Sequence, residues 1–534
     1  MQAALGARAA TVASEASMTL LGFGGSGAFS LLLSSASSPV PSCTPSLSSS
    51  AFPPLPVPLL ATNPPISRPT PPGAWWPYDL YNFPDPVRAN LSALLFSDTG
   101  LGLTSYRYNI GGGGVNVSNP VRAPETFYVD NNTYDWDADA PGRYFLYQAQ
   151  EVGGDDLKIT MFVNSAPAAM TLEHASCGTS FANGTGDWYG GYVADVLEHF
   201  LVDEGLSKIA YVSPMNEPDN NFGPSPCGQE GMEVTQYQRA EMITGLYNAL
   251  VDRGLQDKVG ILADESSSLS RATGEYADWL PEVIDMVAYL VHHTYDFPSD
   301  ASYAAYAADV ADRFPGKATW MSEICCSLGE ADGTGRGWSG GYDPTIANAL
   351  MWSGMVYQSI LVAGEAHYDF WTLVSGGIGC DPLGDASCVT TPNADGWTDG
   401  VIYYDDDYAT NGNYELYLTK HFWTYKHFGN FVKPGASLYP ITNTDSTLLN
   451  STIVVGTPSG DAFNVISMNP TTEDAQLELS FSACVEPTTA YRTSAEEDFA
   501  ELEGADVVVS GEEGWVLTVS ATSQETFVFG VVDC

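Results

Sequence analysis

Two glutamates stand at the ends of short apolar runs, where a side chain could take part in chemistry. Glu217 lies in "SPMNEPD" and Glu323 closes "ATWMSE". Two carboxyl groups that face each other can cleave a glycosidic bond, because one donates a proton to the leaving oxygen while the other attacks or activates water. Either glutamate alone would be an ordinary surface charge in so acidic a chain, so the fold must bring the two together.

The elements that could position them are predicted by an alternation of apolar runs and amphipathic segments between residues 84 and 428. Segments such as "WYGGYVADVLEHFLVDEG" and "TQYQRAEMITGLYNALVDRG" carry apolar residues at helical spacing and stop at glycine. The strand-like runs between them are "TSYRYNI", "LKITMFV", "KIAYVSP", "VGILAD", "MVAYLVHH", "ATWMSE" and "AHYDFW". This alternation is typical of a parallel α/β fold.

The number of runs predicts a closed barrel. With "MTLLGFGG" near the N-terminus as the first strand, the series has eight strands, as a (β/α)8 TIM barrel requires. A doubly wound open sheet is the alternative. In a barrel the carboxyl ends of the strands share one face, so Glu217 after the fourth strand and Glu323 at the end of the seventh are expected to meet there.

The pattern changes near residue 429. Short alternating runs separated by polar turns, such as "STIVVGT" and "WVLTVSA", predict a C-terminal antiparallel β-sandwich over 429–534. The predicted organisation is an N-terminal segment with the first strand (1–28), an insertion (29–73), the catalytic barrel (74–428) and the β-sandwich domain (429–534).

The insertion, residues 29–73, differs from the rest of the chain. It is rich in Ser and Pro, contains no Asp or Glu, and has Arg68 as its one charged residue. The dipeptide Gly-Ala occurs on both sides of it, at 27–28 and at 73–74. We interpret it as a disordered insertion from a translated intron or gene-model error, expected to lack regular secondary structure; a natural linker is the alternative.

Composition limits the partners and the compartment. With 65 acidic against 19 basic residues, the net charge of -46 would repel nucleic acid. The sequence contains no apolar stretch of about twenty residues, so a membrane span is not expected. A monomer is expected. Nine cysteines and several glycosylation sequons favour a secreted, extracellular glycoprotein, although the first residues show no clear signal peptide. The sequons lie at Asn90, Asn116, Asn131, Asn183 and Asn450.

The cysteines show no metal-ligand spacing, so no metal is expected. Proximity along the chain suggests disulfides Cys177–Cys227, Cys380–Cys388 and Cys484–Cys534. Cys325 and Cys326 could form a vicinal bridge or stay reduced, which leaves Cys43 unpaired.

The motifs "SPMNEPD", "WMSEICC", "YRYNIGGGG", "HHTYDF" and "AHYDFWTLVSG" together resemble glycoside hydrolase family 30, in the clan of retaining (β/α)8 glycosidases. The likeness covers nearly all of the chain except residues 29–73, and "RYNIGGGG" is most similar to the fungal endo-β-1,6-galactanase branch. The resemblance implies a retaining endo-glycosidase acting on β-1,6-galactan side chains of plant cell-wall polysaccharide, without a cofactor. A β-1,6-glucanase, a xylanase and an inactive glycan-binding protein remain alternatives, as does a serine hydrolase using Ser339 in "GWSGG".

The resemblance also assigns roles. Glu217 would be the acid/base and Glu323 the nucleophile, with Asn216 on the sugar 2-hydroxyl. Arg107 would keep Glu323 ionised and Tyr295 would orient it, whereas the pKa of Glu217 should be raised. The further substrate-binding candidates are Asn164, His293, Trp338, Trp371 and Trp75.

Overall fold

The structure is a computed structural model. It describes residues 76–130, 133–325, 340–441, 448–503, 508–511 and 514–534, together with the backbone of Leu60–Thr62.

Eight parallel strands form one sheet, in the spatial order β1-β8-β7-β6-β5-β4-β3-β2. Strands that follow each other in the chain are therefore neighbours, as successive βα units produce. The ends of this order, β1 and β2, are the strands that meet when such a sheet closes, and the arrangement fits a (β/α)8 barrel. The strands are β1 (Leu60–Thr62), β2 (Ser105–Asn109), β3 (Lys158–Phe162), β4 (Ile209–Ser213), β5 (Gly260–Ser266), β6 (Val287–His293), β7 (Thr319–Glu323) and β8 (Tyr368–Phe370).

Helices follow the strands and cover the sheet. Both predicted amphipathic segments form helices, α4 and α5, and α5 begins at a capping box of Thr235 and Gln238 that satisfies its first backbone amides. The α-helices of six or more residues in the described part of the chain are α1 (Trp76–Tyr81), α2 (Asp85–Phe96), α3 (Ala140–Val152), α4 (Gly186–Glu198), α5 (Gln236–Asp252), α6 (Leu269–Trp279), α7 (Asp300–Arg313), α8 (Ile346–Gln358) and α9 (Lys420–Phe431).

The first strand differs from the prediction. Strands β2 to β8 arise from the seven predicted runs, but "MTLLGFGG" lies outside the described residues. The place beside β8 is taken by Leu60–Thr62, which pairs in parallel with Tyr368–Phe370. The prediction that residues 29–73 contain no regular secondary structure is therefore wrong at these three positions; the rest of the insertion lies outside the described residues.

The C-terminal region is antiparallel β structure, as predicted. Its strands form a six-stranded and a three-stranded sheet, and residues from both sheets, among them Val465, Leu477 and Phe527, share one buried apolar cluster. The strands are β9 (Ser437–Tyr439), β10 (Thr452–Gly456), β11 (Ala462–Asn469), β12 (Ala475–Leu479), β13 (Val485–Thr493), β14 (Ala500–Glu503), β15 (Val508–Ser510), β16 (Trp515–Val519) and β17 (Ser523–Val531).

The larger β sheet also packs on the barrel. Because side chains alternate across a strand, Val454 of β10 joins the β cluster while its neighbours Ile453 and Val455 join the barrel core. Helix α9 lies at the same junction, where the His427 ring is buried between the hydroxyls of Thr526 (2.7 Å) and Thr493 (3.0 Å). Burial lowers the pKa of His427 to about 3, so this ring is neutral.

One helical stretch, Ile346–Ala363, is long and apolar enough to cross a membrane by length and composition. Most of it is buried inside the protein, which is typical of a core helix.

The three predicted disulfides are present: Cys177–Cys227, Cys380–Cys388 and Cys484–Cys534. Cys325 is disulfide-bonded as well, whereas the predictions for Cys43 and Cys326 lie outside the described residues.

Candidate active site

Glu217 lies in the loop after β4 and is 1% exposed. Its backbone has φ 43°, which is uncommon for a residue other than glycine. Its backbone N–H donates to the carbonyl of Glu265 at 2.9 Å. The carboxylate faces the ring of His293, with 3.0 Å between Oε1 and Nδ1, and accepts from the Asn220 amide at 3.4 Å.

Glu323 is the last residue of β7 and is equally buried. The Tyr295 hydroxyl donates to its Oε1 at 2.9 Å, and Arg107 Nη1 donates to its Oε2 at 3.2 Å. Arg107 also donates to the Ser322 carbonyl at 2.7 Å and to the Asn216 side-chain oxygen at 3.3 Å. The contacts expected of Arg107 and Tyr295 with Glu323 are thus present.

The two glutamates are close together. One ligand atom from each of Glu217, His293 and Glu323 lies within 4.8 Å of the others. In the described part of the chain this is the one group of acidic, His and Cys side chains close enough to share a metal ion. The Arg107 guanidinium against Glu323 opposes a cation there, so we interpret the group as an acid/base cluster.

A third buried carboxylate, Glu265 near the end of β5, completes the cluster and was missed in the sequence. Its Oε1 lies 3.2 Å from Arg107 Nη2, and its Oε2 lies 3.1 Å from His293 Nε2 and accepts from the Ser322 hydroxyl. Like Glu217, it has a positive φ, 61°. The signal was available, because "ADESS" places Glu265 at the carboxyl end of a strand, as "ATWMSE" does for Glu323.

The protonation of this cluster follows from burial and charge. Burial favours the neutral form of Glu265, but Arg107 and His293 outweigh it and lower its pKa to about 2. Burial also opposes the charged form of His293, but Glu323 and Glu217 raise the pKa of the ring to about 10. Both groups are therefore ionised at neutral pH.

Glu323 behaves differently from the prediction. Burial raises its pKa to about 7, against the attraction of His293 and Arg107. The prediction that Arg107 keeps the pKa of Glu323 low is wrong, because desolvation and two neighbouring carboxylates outweigh the guanidinium.

Two other predicted residues lie at the ends of neighbouring strands. Asn164, two residues after β3, is buried, and neither atom of its amide has a hydrogen-bond partner among the described residues. Trp371 follows β8 and is likewise buried, with its indole N–H unpartnered in that part of the chain. Such groups are available to a polar ligand. The predictions for Trp75 and Trp338 lie outside the described residues.

A cavity of about 530 Å³ is lined by Arg107 and Asn109 of β2, whereas Glu217, Glu265, His293 and Glu323 are not among its lining residues. Trp76 and Tyr78 from α1 and Asp139 from the start of α3 form other parts of its wall.

A parallel barrel-like sheet with carboxyl groups converging at the ends of β4 and β7 defines a glycoside hydrolase. The chain belongs to O-glycosyl hydrolase family 30, whose sequence model matches residues 96–381. This span includes Glu217, Glu265, His293 and Glu323.

Solved structures similar to the chain include an exported protein of Bacteroides fragilis, with 19% identity and a TM-score of 0.71, covering 89% of this chain and 97% of that one. The catalytic domain of xylanase C from Talaromyces cellulolyticus is 18% identical, with a TM-score of 0.62 and coverage of 88% and 99%. A family 30 subfamily 8 xylanase from Clostridium acetobutylicum is 14% identical, with a TM-score of 0.57 and coverage of 90% and 97%. These likenesses concern the fold. No curated protein matches the chain.

Proposed function

We propose that the protein is a retaining endo-glycosidase that hydrolyses β-1,6-galactan side chains of plant cell-wall polysaccharide. The observation that supports retention is the proximity of Glu217 and Glu323, whose facing atoms lie within 4.8 Å. Retaining glycosidases hold their carboxyl groups about 5 to 5.5 Å apart, whereas inverting enzymes separate them by about 6.5 to 9.5 Å to admit a water.

The proposed reaction has two steps. Glu217 donates its proton to the glycosidic oxygen while an oxygen of Glu323 attacks the anomeric carbon. The bond between that carbon and the glycosidic oxygen breaks, the leaving sugar departs as an alcohol, and a covalent glycosyl-enzyme forms. Water then attacks that carbon, Glu217 takes a proton from it, and Glu323 leaves as a carboxylate. Arg107 and Tyr295 hold the Glu323 oxygens in place throughout.

The galactan substrate is supported by the resemblance of residues 107–114 to the galactanase branch. This glycine-rich loop is held in place by the buried carboxylate of Glu230, which accepts from Gly112 N at 3.2 Å and Gly114 N at 2.8 Å. A side chain at Gly111 would collide with the Pro124 carbonyl at 2.2 Å, so the loop requires glycine there.

Xylan is the second candidate, because two of the similar structures are named as xylanases. The loops rather than the barrel select the substrate, so the fold does not decide between them. We further propose an extracellular location, which the disulfides support, because such bonds persist in oxidising compartments.

A screen of β-1,6-galactan, β-1,6-glucan and xylan tests the substrate, with Glu217→Gln as the inactive control. We expect galactan oligosaccharides and, by ¹H NMR in the first minutes, products that keep the anomeric configuration. Release of sugars from xylan or β-1,6-glucan but not from galactan would show that the proposed substrate is wrong. Initial products with the inverted anomeric configuration would refute the retaining mechanism. Binding without any release would indicate a glycan-binding protein.

A further inference from the structure

Glu265 has no part in the two-carboxylate reaction, yet it is central to the cluster. It is completely buried. Its side chain contacts Arg107 from β2, His293 from β6 and Ser322 from β7, and its backbone carbonyl accepts from the Glu217 amide.

The His293 ring connects Glu265 to the reacting pair. Its Nε2 lies 3.1 Å from Glu265, its Nδ1 lies 3.0 Å from Glu217, and the same Nδ1 is 3.8 Å from Glu323. A carboxylate on Nε2 fixes the ring orientation and favours a proton on that nitrogen. The opposite nitrogen is thereby aimed at Glu217.

Glu265 adds a negative charge to a space that holds two positive ones. Arg107 and His293 contribute the two positive charges, and Glu265 contributes one negative charge. If Glu265 were neutral, the two positive charges would favour the ionised form of a neighbouring carboxyl group such as Glu323 more strongly.

We propose that Glu265 is a positioning residue that fixes His293 against Glu217 and places a buried negative charge beside the reacting pair. The proposal rests on the proposed roles of Glu217 and Glu323. The titratable and charged groups packed around Glu265 and His293 are Arg107, Glu217, Tyr276, His292, Tyr295 and Glu323.

The neighbouring residue offers a matched control. Asp264 is as buried as Glu265, but its carboxylate pairs with Arg239 (2.8 Å) and with the Ser266 hydroxyl (2.7 Å) instead of His293. Asp264→Asn therefore also removes a buried negative charge from β5, without touching the cluster.

The first measurement needs no substrate. In protein labelled with ¹⁵N-histidine, the His293 ring nitrogens are followed from pH 5 to 9.5 and assigned with His293→Asn. We expect His293 to be doubly protonated at pH 8 in the unsubstituted protein and in Asp264→Asn, and to titrate at least about one pH unit lower in Glu265→Gln, a tenfold change in its ionisation constant. An unchanged titration in folded Glu265→Gln would overturn the proposal. A neutral His293 at pH 6.5 in the unsubstituted protein would also overturn the proposal. This second result does not depend on whether Glu265→Gln folds.

The second measurement is kcat/KM against pH on β-1,6-galactan. The alkaline limb should move to lower pH in Glu265→Gln and stay in place in Asp264→Asn, whereas a purely structural role would lower activity without moving the limb, and that result would refute the proposal. If the unsubstituted protein does not hydrolyse galactan, the proposed substrate is wrong. The NMR titration would then still test the role of Glu265.

Discussion

From the burial of the Glu230 carboxyl group we predict that this group contributes more to the unfolding free energy as the pH falls. Burial raises the pKa of Glu230 to about 7, although Gly114 and Gly112 donate to it. Because this folded-state pKa lies above the ordinary value of 4.5, the stabilising contribution is complete below about pH 4.5 and is lost as the pH rises through 7. The difference between the two values corresponds to about 3 kcal/mol.

The perturbation is Glu230→Gln, which is neutral at every pH and nearly isosteric. The quantity to compare is the unfolding free energy of the unsubstituted protein minus that of the variant, obtained from urea titrations at pH 4.5 and pH 8. We expect this difference to fall by about 3 kcal/mol between the two pH values. The large net charge of the chain affects both proteins alike and cancels.

Glu151→Gln is the control, because Glu151 is exposed at the end of α3 and should show no such change. A change smaller than about 1 kcal/mol for Glu230→Gln would refute the reasoning, since it would mean that the two glycine amides compensate the burial of the charge. Asp139 and Asp399 are also buried and also have a pKa of about 7, so each should add stability from pH 8 to pH 5 in the same way, whereas the neutral His427 opposes this gain below about pH 6.5.

Three other predictions concern the nucleophile, the disulfides and the insertion. Glu323→Ala should be inactive on an activated β-galactoside and recover with azide to give the α-glycosyl azide; no recovery with azide would argue against the nucleophile role. Replacing Cys177 and Cys227 together by Ala should cost about 4 kcal/mol of unfolding free energy against about 2.5 for the Cys380–Cys388 pair, because their separations are 50 and 8 residues; equal losses would contradict the loop-entropy explanation. Deletion of residues 29–73, which removes β1, should leave a folded, active enzyme with "MTLLGFGG" as its first strand; a variant that does not fold would contradict the insertion hypothesis and support β1 as observed.

The sequence was sufficient to predict the βα series, because strands β2 to β8 and helices α4 and α5 carry strong periodic patterns. Glu217 and Glu323 could be predicted since both follow an apolar strand. Glu265 was not predicted, although its position is equivalent, because the motifs that resemble the family contain only the other two glutamates. The raised pKa of Glu323 could not be predicted, since it depends on total burial and on neighbours that are distant in the chain, among them Arg107.

The same three-dimensional dependence applies to His293. In the sequence it was a candidate for contact with a sugar, whereas its two ring nitrogens face Glu217 and Glu265 in the structure. Contacts between residues from different strands depend on the register of the sheet and on a local irregularity between His292 and His293, neither of which a linear pattern specifies.

The packing of one β sheet against both a β cluster and the barrel has a consequence for engineering. Truncation before β9 would expose to solvent the apolar surface of the barrel that Ile453 and Val455 now cover. Helix α9 would also lose the two hydroxyl groups that form hydrogen bonds with the neutral His427 ring. The catalytic part therefore cannot be excised and transplanted as a module, even though the chain pattern changes sharply near residue 429. In heterologous expression and in chimeras, the barrel and the C-terminal β region should therefore be kept together.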